Sequence, residues 1–295
     1  MVKNQFKTIA LYSSKGDNKV TNIAHQLIEI FTNMGIRILI AKSSKKIHSD
    51  IKKTHTEDYI IKNADLLISI GGDGTLLSAA RIFGAKGLPL MGINVGNIGF
   101  LTDISPDDLT NSVKQVLNGK YIKDNRFFLQ AQINGKKSRD DHLALNEIVI
   151  HSGTVAQLIE YELFVDQKFV YRQRADGIIV STQTGSTAYS LSGNGPIVHP
   201  GVEAIILQQM YPHSLNSRPL LVNMEAEIDI VLSGAKKAIL SLDSHNLFSL
   251  KKKDKVHIAI SKPFVTLIHP LSHDFYSACR TKLGWSLGIQ NNKDQ

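Results

Sequence analysis

Cysteine is nearly missing from this chain of 295 residues: Cys279 is its single copy. An internal disulfide is excluded, and a reducing compartment, the cytoplasm, is the natural expectation. Long apolar runs are missing as well. No stretch reaches the roughly 20 residues that a bilayer-crossing helix needs, so no membrane partner is expected. Near the N-terminus the apolar run 9–12 is cut off by Ser13-Ser14-Lys15-Gly16-Asp17, which is not a signal-peptide pattern. Aromatic residues make up only 7% of the chain, and the lysine clusters do not interleave with them as single-strand binding requires. Several motifs are absent too. There is no G-x-G-x-x-G opening a Rossmann unit and no G-x-x-x-x-G-K-[ST] P-loop, so a nucleotide would need a different loop. Without H-E-x-x-H or a cysteine cluster, no dedicated structural or hydrolytic zinc site is expected. Without G-x-S-x-G, the best cue for acyl-transfer serine chemistry is gone.

What is present describes a globular chain long enough for two domains, with 42% apolar and 20% charged residues. The net charge of +8 suits an anionic partner, either nucleic acid or a phosphorylated metabolite. The lysine clusters at 42–53, 136–137 and 251–255 read as solvated faces, and no finger spacing or basic-plus-heptad region is present. No nucleic-acid partner is therefore expected.

Residues 1–120 alternate between strand and helix patterns: strands at 7–12, 37–41, 66–70 and 89–94, helices at 20–31, 75–83 and 107–117. That succession predicts an α/β domain with an open parallel sheet and helices on both faces. Residues 42–63 have no clear periodicity. From 121 to 270 the texture changes to short strands in quick succession, at 127–133, 147–151, 158–165, 168–171, 177–181, 220–223, 227–233, 238–242, 255–261 and 264–268. Turn signals such as Asn134-Gly135 and Asp166-Gln167 separate several of them. A mainly β second domain is expected. The segment 271–295 is expected to form a helix over 275–285 that packs back on the first domain, with a polar end at 290–295.

Three loops carry candidate chemistry. The first is Gly71-Gly72-Asp73-Gly74-Thr75, a glycine turn between a strand and a helix that holds one carboxylate beside free helix N–H groups, well placed to handle a phosphate or a neighbouring hydroxyl. As plain sequence it also reads as a turn signal. The second, residues 92–101, carries three glycines, Gly92, Gly96 and Gly99, after the next strand; both loops fall at strand carboxyl ends, where open α/β sheets gather ligands. The third, residues 181–196, is rich in hydroxyls and glycines suited to an anion-binding nest, with Ala188, Tyr189 and Leu191 suggesting that it packs inward. Asn146-Glu147 opens an apolar strand, where burial would demand partners, and Asp176 sits at another element boundary. His199, His213, His257, His269 and His273 read as ordinary surface or packing residues.

With these loops assembled, the chain resembles the bacterial NAD kinases, which phosphorylate NAD to NADP with ATP. The resemblance rests on Gly71-Gly72-Asp73-Gly74-Thr75, Asn146-Glu147, Ala175-Asp176-Gly177, the run from Thr184 to Ser192, and Gly195-Pro196-Ile197-Val198-His199-Pro200. Lipid kinases share the first motif, so the Thr184–Ser192 stretch is the discriminating one. The resemblance implies a sandwich-like second domain, a homodimer or homotetramer, and NAD and ATP as substrates with Mg²⁺ carried by ATP. It implies that Asp73 lies near the 2′-hydroxyl of the adenosine ribose as base or orienter, and that Gly71, Gly72, Gly74 and Thr75 border the phosphates. Phe100, Thr187 and Tyr189 would form the adenine pocket. Asn146 and Glu147 would bind ribose hydroxyls, and Asp176 and Ala188 the nicotinamide end, with Ser192 closing the third loop. Arg174 stands where the family places a basic residue from a neighbouring subunit, and His245 where it often has a glutamine that faces the ligand. Two departures occur: Gln183 replaces a usual proline, and Ser192-Gly193-Asn194-Gly195 replaces Ser-Ala-Gly-Gly. Neither removes a ligand group. A lipid or sugar kinase, and a non-enzymatic nucleotide-sensing or nucleic-acid-binding protein, are the rival readings.

Overall fold

The computed structural model describes residues 5–47, 53–96, 99–136, 142–154, 157–214, 216–234 and 237–285. Asn97 and Ile98 of the second glycine loop, Lys137, part of the 42–53 lysine cluster and the polar end 290–295 lie outside the described residues. The chain divides into two compact units: one holds the residues through Asn125 and those from Val265 onward, the other Arg126–Phe264.

The first unit is built on strands β1 (Thr8–Tyr12), β2 (Arg37–Ile40), β3 (Leu66–Ile70) and β4 (Leu90–Ile93), all parallel in the order β2-β1-β3-β4. Every residue of β3 and β4 is buried, the pattern of strands covered on both faces. The helices are α1 (Asn18–Asn33), α2 (Glu57–Asn63), α3 (Asp73–Ile82) and α4 (Leu109–Leu117). Helix α1 begins two residues before its apolar stripe because the Asp17 carboxylate caps the Val20 N–H at 2.9 Å. The unassigned 42–63 region holds a 3-10 segment, Lys42–Ile47, and α2, whose Thr56 cap accepts from the Tyr59 N–H. Ile9, Leu11, Leu27, Phe31, Ile68, Met91 and Val113 meet in one apolar core.

The second unit contains β6 (Leu143–Ala144), β7 (Glu147–His151), β8 (Ile159–Val165), β9 (Lys168–Ala175), β10 (Gly177–Thr182), a single-turn α5 (Tyr189–Ser192), β11 (Ala204–Met210), β12 (Leu220–Asn223), β13 (Ile228–Leu232), β14 (Ala238–Leu242) and β15 (Asn246–Leu250). Strands β5 (Tyr121–Ile133) and β16 (Lys255–Pro270) each run on from one unit into the other, and α6 (Phe275–Leu283) follows β16. One antiparallel sheet has the order β12-β11-β10-β7-β14-β15; the other joins the N-terminal part of β16 to β13, β8 and β9. Ile150, Val180, Leu207 and Leu240 of the first sheet share a core with Tyr161, Leu163, Ile230 and Val256 of the second. Two sheets sharing one inner layer make a sandwich, in accord with the α/β plus mainly β expectation.

Some elements differ from the sequence reading. Strands read separately at 255–261 and 264–268 are one strand, β16, that runs through Pro263. Pro263 lies between the pairing with β13 at Lys255–Ile258 and the pairing with β4 at Leu267, so its missing N–H is tolerated. Strand β11 has no sequence-level counterpart: an apolar run ending in two glutamines shows neither alternation nor a turn signal, yet Ala204–Gln209 are all buried. Strand β15 was likewise not anticipated. Helix α6 spans Phe275–Leu283, capped by Asp274 and ended by Gly284 in the left-handed region at φ 66°.

Candidate functional site

In the first unit the glycine turn is shaped by close contacts. Gly71 has φ +154° and donates its N–H to the Ile93 carbonyl at 2.9 Å; a Cβ there would strike the Thr75 side chain. A Cβ on Gly72 or Gly74 would meet nothing within 4 Å, so that side of the turn is open. Gly72 precedes α3 and leaves its first N–H groups without a side-chain cap, a ready anion-binding terminus. Thr75 is buried and shares a 2.8 Å hydrogen bond with Ser14 Oγ.

Asp73 opens α3, half-buried, and its carboxylate is heavily used. Oδ1 accepts from Leu101 N at 3.2 Å, Thr102 N at 3.1 Å and Thr102 Oγ1 at 3.0 Å; Oδ2 accepts from Phe100 N at 2.9 Å. Thr102 Oγ1 in turn accepts from Asn94 Nδ2 at 2.8 Å. Two glycine loops read separately in the sequence are thus one assembly, with Asp73 as the clasp. Gly99 lies so close that a Cβ would collide with Asp73 Oδ1. Phe100 is half-buried, its ring 6.4 Å from Phe275 and Lys282 Nζ 5.9 Å from its centroid.

In the second unit Asn146 and Glu147 form a corner at the start of β7. Asp243, buried in the turn between β14 and β15 at φ 44°, accepts from Leu145 N at 2.9 Å, Asn146 N at 2.8 Å and Glu147 N at 3.1 Å. Thr182 N and Ser181 Oγ both donate to the Asn146 carbonyl. Gly185 passes so near that a Cβ would strike that same carbonyl. Asn146 Oδ1 and Glu147 Oε2 are buried and accept no hydrogen bond within the described structure; such atoms point to a ligand partner. Burial, reinforced by the Asp243 charge and only partly offset by a backbone hydrogen bond from Tyr189, pushes the Glu147 carboxyl up to about 8. Glu147 is therefore a neutral acid near pH 7, able to donate and accept towards a diol.

Asp176 sits at the far end of the same strands. Ser181 pairs with Glu147 while Gly177 pairs with His151, a span of roughly 13 Å at about 3.3 Å per residue. Tyr189 is exposed, and its hydroxyl is raised by burial of its inner part and by the charges of Tyr211, Glu147 and Asp176. Beside it lies a cavity of about 400 Å³ lined by Ile179, Gln208, Met210, Tyr211 and Arg218 among others. The third loop packs inward through Ser181, Thr182, Thr184, Ser186 and Ser190, all buried, while Thr187 and Ala188 are half-buried and Ser192 is exposed. Arg174 is exposed on β9, opposite Glu160. His245 is exposed and turns its Nδ1 back to the Asp243 carbonyl at 2.6 Å.

Sequence reasoning missed Asp243 and Thr102, which position the residues it did single out. Of the surface and packing alternatives read for His269, the structure shows packing. That ring is 2% exposed, buried against Asp103 and Asp124 in the first unit. Burial opposes its charge, but the hydrogen bond that Asp103 accepts and the charges of Asp103 and Asp124 prevail and raise it to about 9. Asp103 is likewise held down at about 2, where bonds from His269 and His273 overcome its burial.

Comparison with known proteins decides the family. The ATP-NAD kinase N-terminal domain model matches residues 5–121 and the ATP-NAD kinase C-terminal domain model matches residues 145–269. The chain belongs to the ATP-NAD kinase family. An NAD kinase of Teredinibacter turnerae is 41% identical over 289 residues, covering 95% of this chain and 97% of that protein. One from Pseudomonas putida GB-1 is 38% identical over 294 residues, covering 98% and 99%. Yeast NADH kinase, solved with NADH, shares the fold at a TM-score of 0.85 and 22% identity, covering 97% of this chain and 90% of its own. An Archaeoglobus fulgidus NAD kinase solved with ATP matches at a TM-score of 0.71 and 26% identity, over 94% and 97%. Within this kinase family the glycine turn and the Asn146-Glu147 corner are each present here as built structures.

Proposed function

We infer that this chain is an ATP-dependent NAD kinase, transferring the γ-phosphoryl group of ATP to the 2′-hydroxyl of the adenosine ribose of NAD to give NADP and ADP. The observation that carries this reading is the match of both family models along the chain. Phosphoryl transfer asks mainly for positioning and charge neutralisation. Asp73 orients the attacking hydroxyl: Oδ1 is occupied by three donors, whereas Oδ2 takes one N–H and keeps capacity to accept another. The open side of Gly72 and Gly74 and the N-terminus of α3 accommodate phosphates without a P-loop lysine. Asn146 Oδ1 and Glu147 Oε2 take ribose hydroxyls. Asp176 and Ala188 serve the nicotinamide end, with Phe100, Thr187 and Tyr189 towards adenine and Ser192 at the close of the loop. The span along the strands from Glu147 to Asp176 suits an extended ligand such as a dinucleotide.

Mg²⁺ enters as the partner of the ATP phosphates and supplies charge neutralisation. An ion held largely by the substrate phosphates would need little from the protein, and Asp73 Oδ2 stays with the attacking hydroxyl. Assembly into a homodimer or homotetramer is supported by exposed apolar side chains on β9 (Phe169, Val170) and β12 (Leu220, Leu221), with Arg174 facing outward to serve a second copy; light scattering reads the state. No described helix is long and apolar enough to cross a membrane, and a cytoplasmic location accords with the substrates. The deciding experiment is a coupled assay with NAD, ATP and Mg²⁺ that reads NADP through an NADP-specific dehydrogenase. NADP formation dependent on divalent metal is expected. NAD binding without NADP formation would instead favour a sensor, and phosphorylation of diacylglycerol a lipid kinase.

A further inference from the structure

We propose that Asp103, His269 and His273 form a binding site for a borderline divalent metal ion of the zinc class. Among the described residues this is the one group of three or more His, Cys, Asp or Glu side chains whose ligand atoms converge, all within 4.8 Å of one another. His269 Nδ1 and His273 Nδ1 both aim at Asp103 Oδ2, at 2.9 and 2.6 Å, and the two rings stack with centroids 4.0 Å apart and a 24° tilt. Two features beyond the cluster point to an ion. Asp103 Oδ1 is buried and accepts no hydrogen bond within the described structure. His269 Nε2 is buried without a hydrogen bond within the described structure, and Asp124 Oδ2 lies 3.6 Å from it. A small approach of that carboxylate would give the arrangement that fixes a ligating imidazole's tautomer and orientation.

The donor set names the metal class. Once an ion displaces the protons that now link the rings to Asp103, two imidazole nitrogens and one carboxylate suit Zn²⁺ and its neighbours, whereas Mg²⁺ and Ca²⁺ favour oxygen donors throughout. Three protein ligands is also the count that leaves a coordination position to water. The location gives the ion consequence. Asp103 directly follows Thr102, whose N–H and hydroxyl hold Asp73. His269 is the penultimate residue of β16, and His273 stands in the turn that leads into α6. A bound ion would pin the turn that clasps Asp73 to both of those segments.

The test is metal titration of the full, chelator-treated protein. Zn²⁺ titrated against a chromophoric chelator should bind one to one and resist displacement by excess Mg²⁺. Co²⁺ in its place should give visible d–d bands without a thiolate charge-transfer band. Zn²⁺ should raise the melting temperature, as any ligand of the native state does. His273→Gln, a half-buried turn position whose folding is checked by circular dichroism, should weaken binding by far more than tenfold. Asp124→Asn should weaken it by about 10- to 100-fold, and Cys279→Ser should leave it unchanged. Absence of stoichiometric Zn²⁺ binding would overturn the site and leave a hydrogen-bonded carboxylate–imidazole cluster. Binding that survives His273→Gln, or a thiolate band in the Co²⁺ spectrum, would overturn it equally.

Discussion

Asp73 and Asp243 do the same thing in two different units. Each carboxylate gathers a row of backbone N–H groups from a distant loop: Phe100, Leu101 and Thr102 for the one, Leu145, Asn146 and Glu147 for the other. Their surroundings separate their roles. Asp73 is half-buried at the mouth of a helix beside glycines with open space. Asp243 is 4% exposed in a tight turn, and its charge acts on Glu147. A carboxylate that clasps a loop can face substrate or set the acidity of a neighbour that does. Burial decides which.

Substitutions can break that contrast. Asp73→Asn should lower turnover by about 10²- to 10⁴-fold, the scale for a lost positioned proton acceptor, with unchanged circular dichroism; near-normal kcat would remove Asp73 from the reaction. Asp243→Ala should act first on stability. Three buried N–H groups lose their acceptor at about 1–3 kcal/mol each before relaxation, so the urea midpoint should fall well below that of Asp73→Asn. Equal stability of the two variants would erase the distinction.

Glu147→Gln sharpens it through pH. Glu147 has a raised carboxyl, about 8 against an ordinary 4.5, so the folded chain keeps a proton that the unfolded chain loses across that window. Stability should therefore fall as pH rises from about 4.5 to about 8 and level off above. The glutamine variant should lack that slope and be the more stable protein at the alkaline end. NAD binding to the native chain should release protons near neutral pH, because ribose hydroxyls that donate to Glu147 favour its ionised form; calorimetry in buffers of different ionisation enthalpy reads this. Thr102→Val carries the smallest effect, about 1 kcal/mol for the hydroxyl bridge between Asn94 and Asp73, with a modest loss of kcat at unchanged KM for ATP.

Legibility followed sequence distance. The strand, glycine turn and helix at 66–83 could be read because their cues are adjacent: a buried apolar run, then Gly71 and Gly72, then the stripe of α3. The alternation in 228–232 and the Asp166-Gln167 hairpin were legible for the same reason. Asn146-Glu147 drew notice as polar residues opening an apolar strand. Their support did not, since Asp243 lies 97 positions from Asn146 and its Asp-Ser turn looks like many others. His269 and His273 looked ordinary because Asp103 stands 166 and 170 residues earlier.

The sequence by itself determined the class of each unit, the family and the motifs that carry the candidate site, because periodicity, turn chemistry and contiguous motifs are local properties of a chain. Only the tertiary structure decided what those residues can do. It joined two glycine loops through Asp73, neutralised Glu147 by burial beside Asp243, and gathered two histidines on one aspartate. Acidity and metal-ligating power depend on distance and dielectric between groups far apart in the chain, and those quantities exist only once the chain has folded.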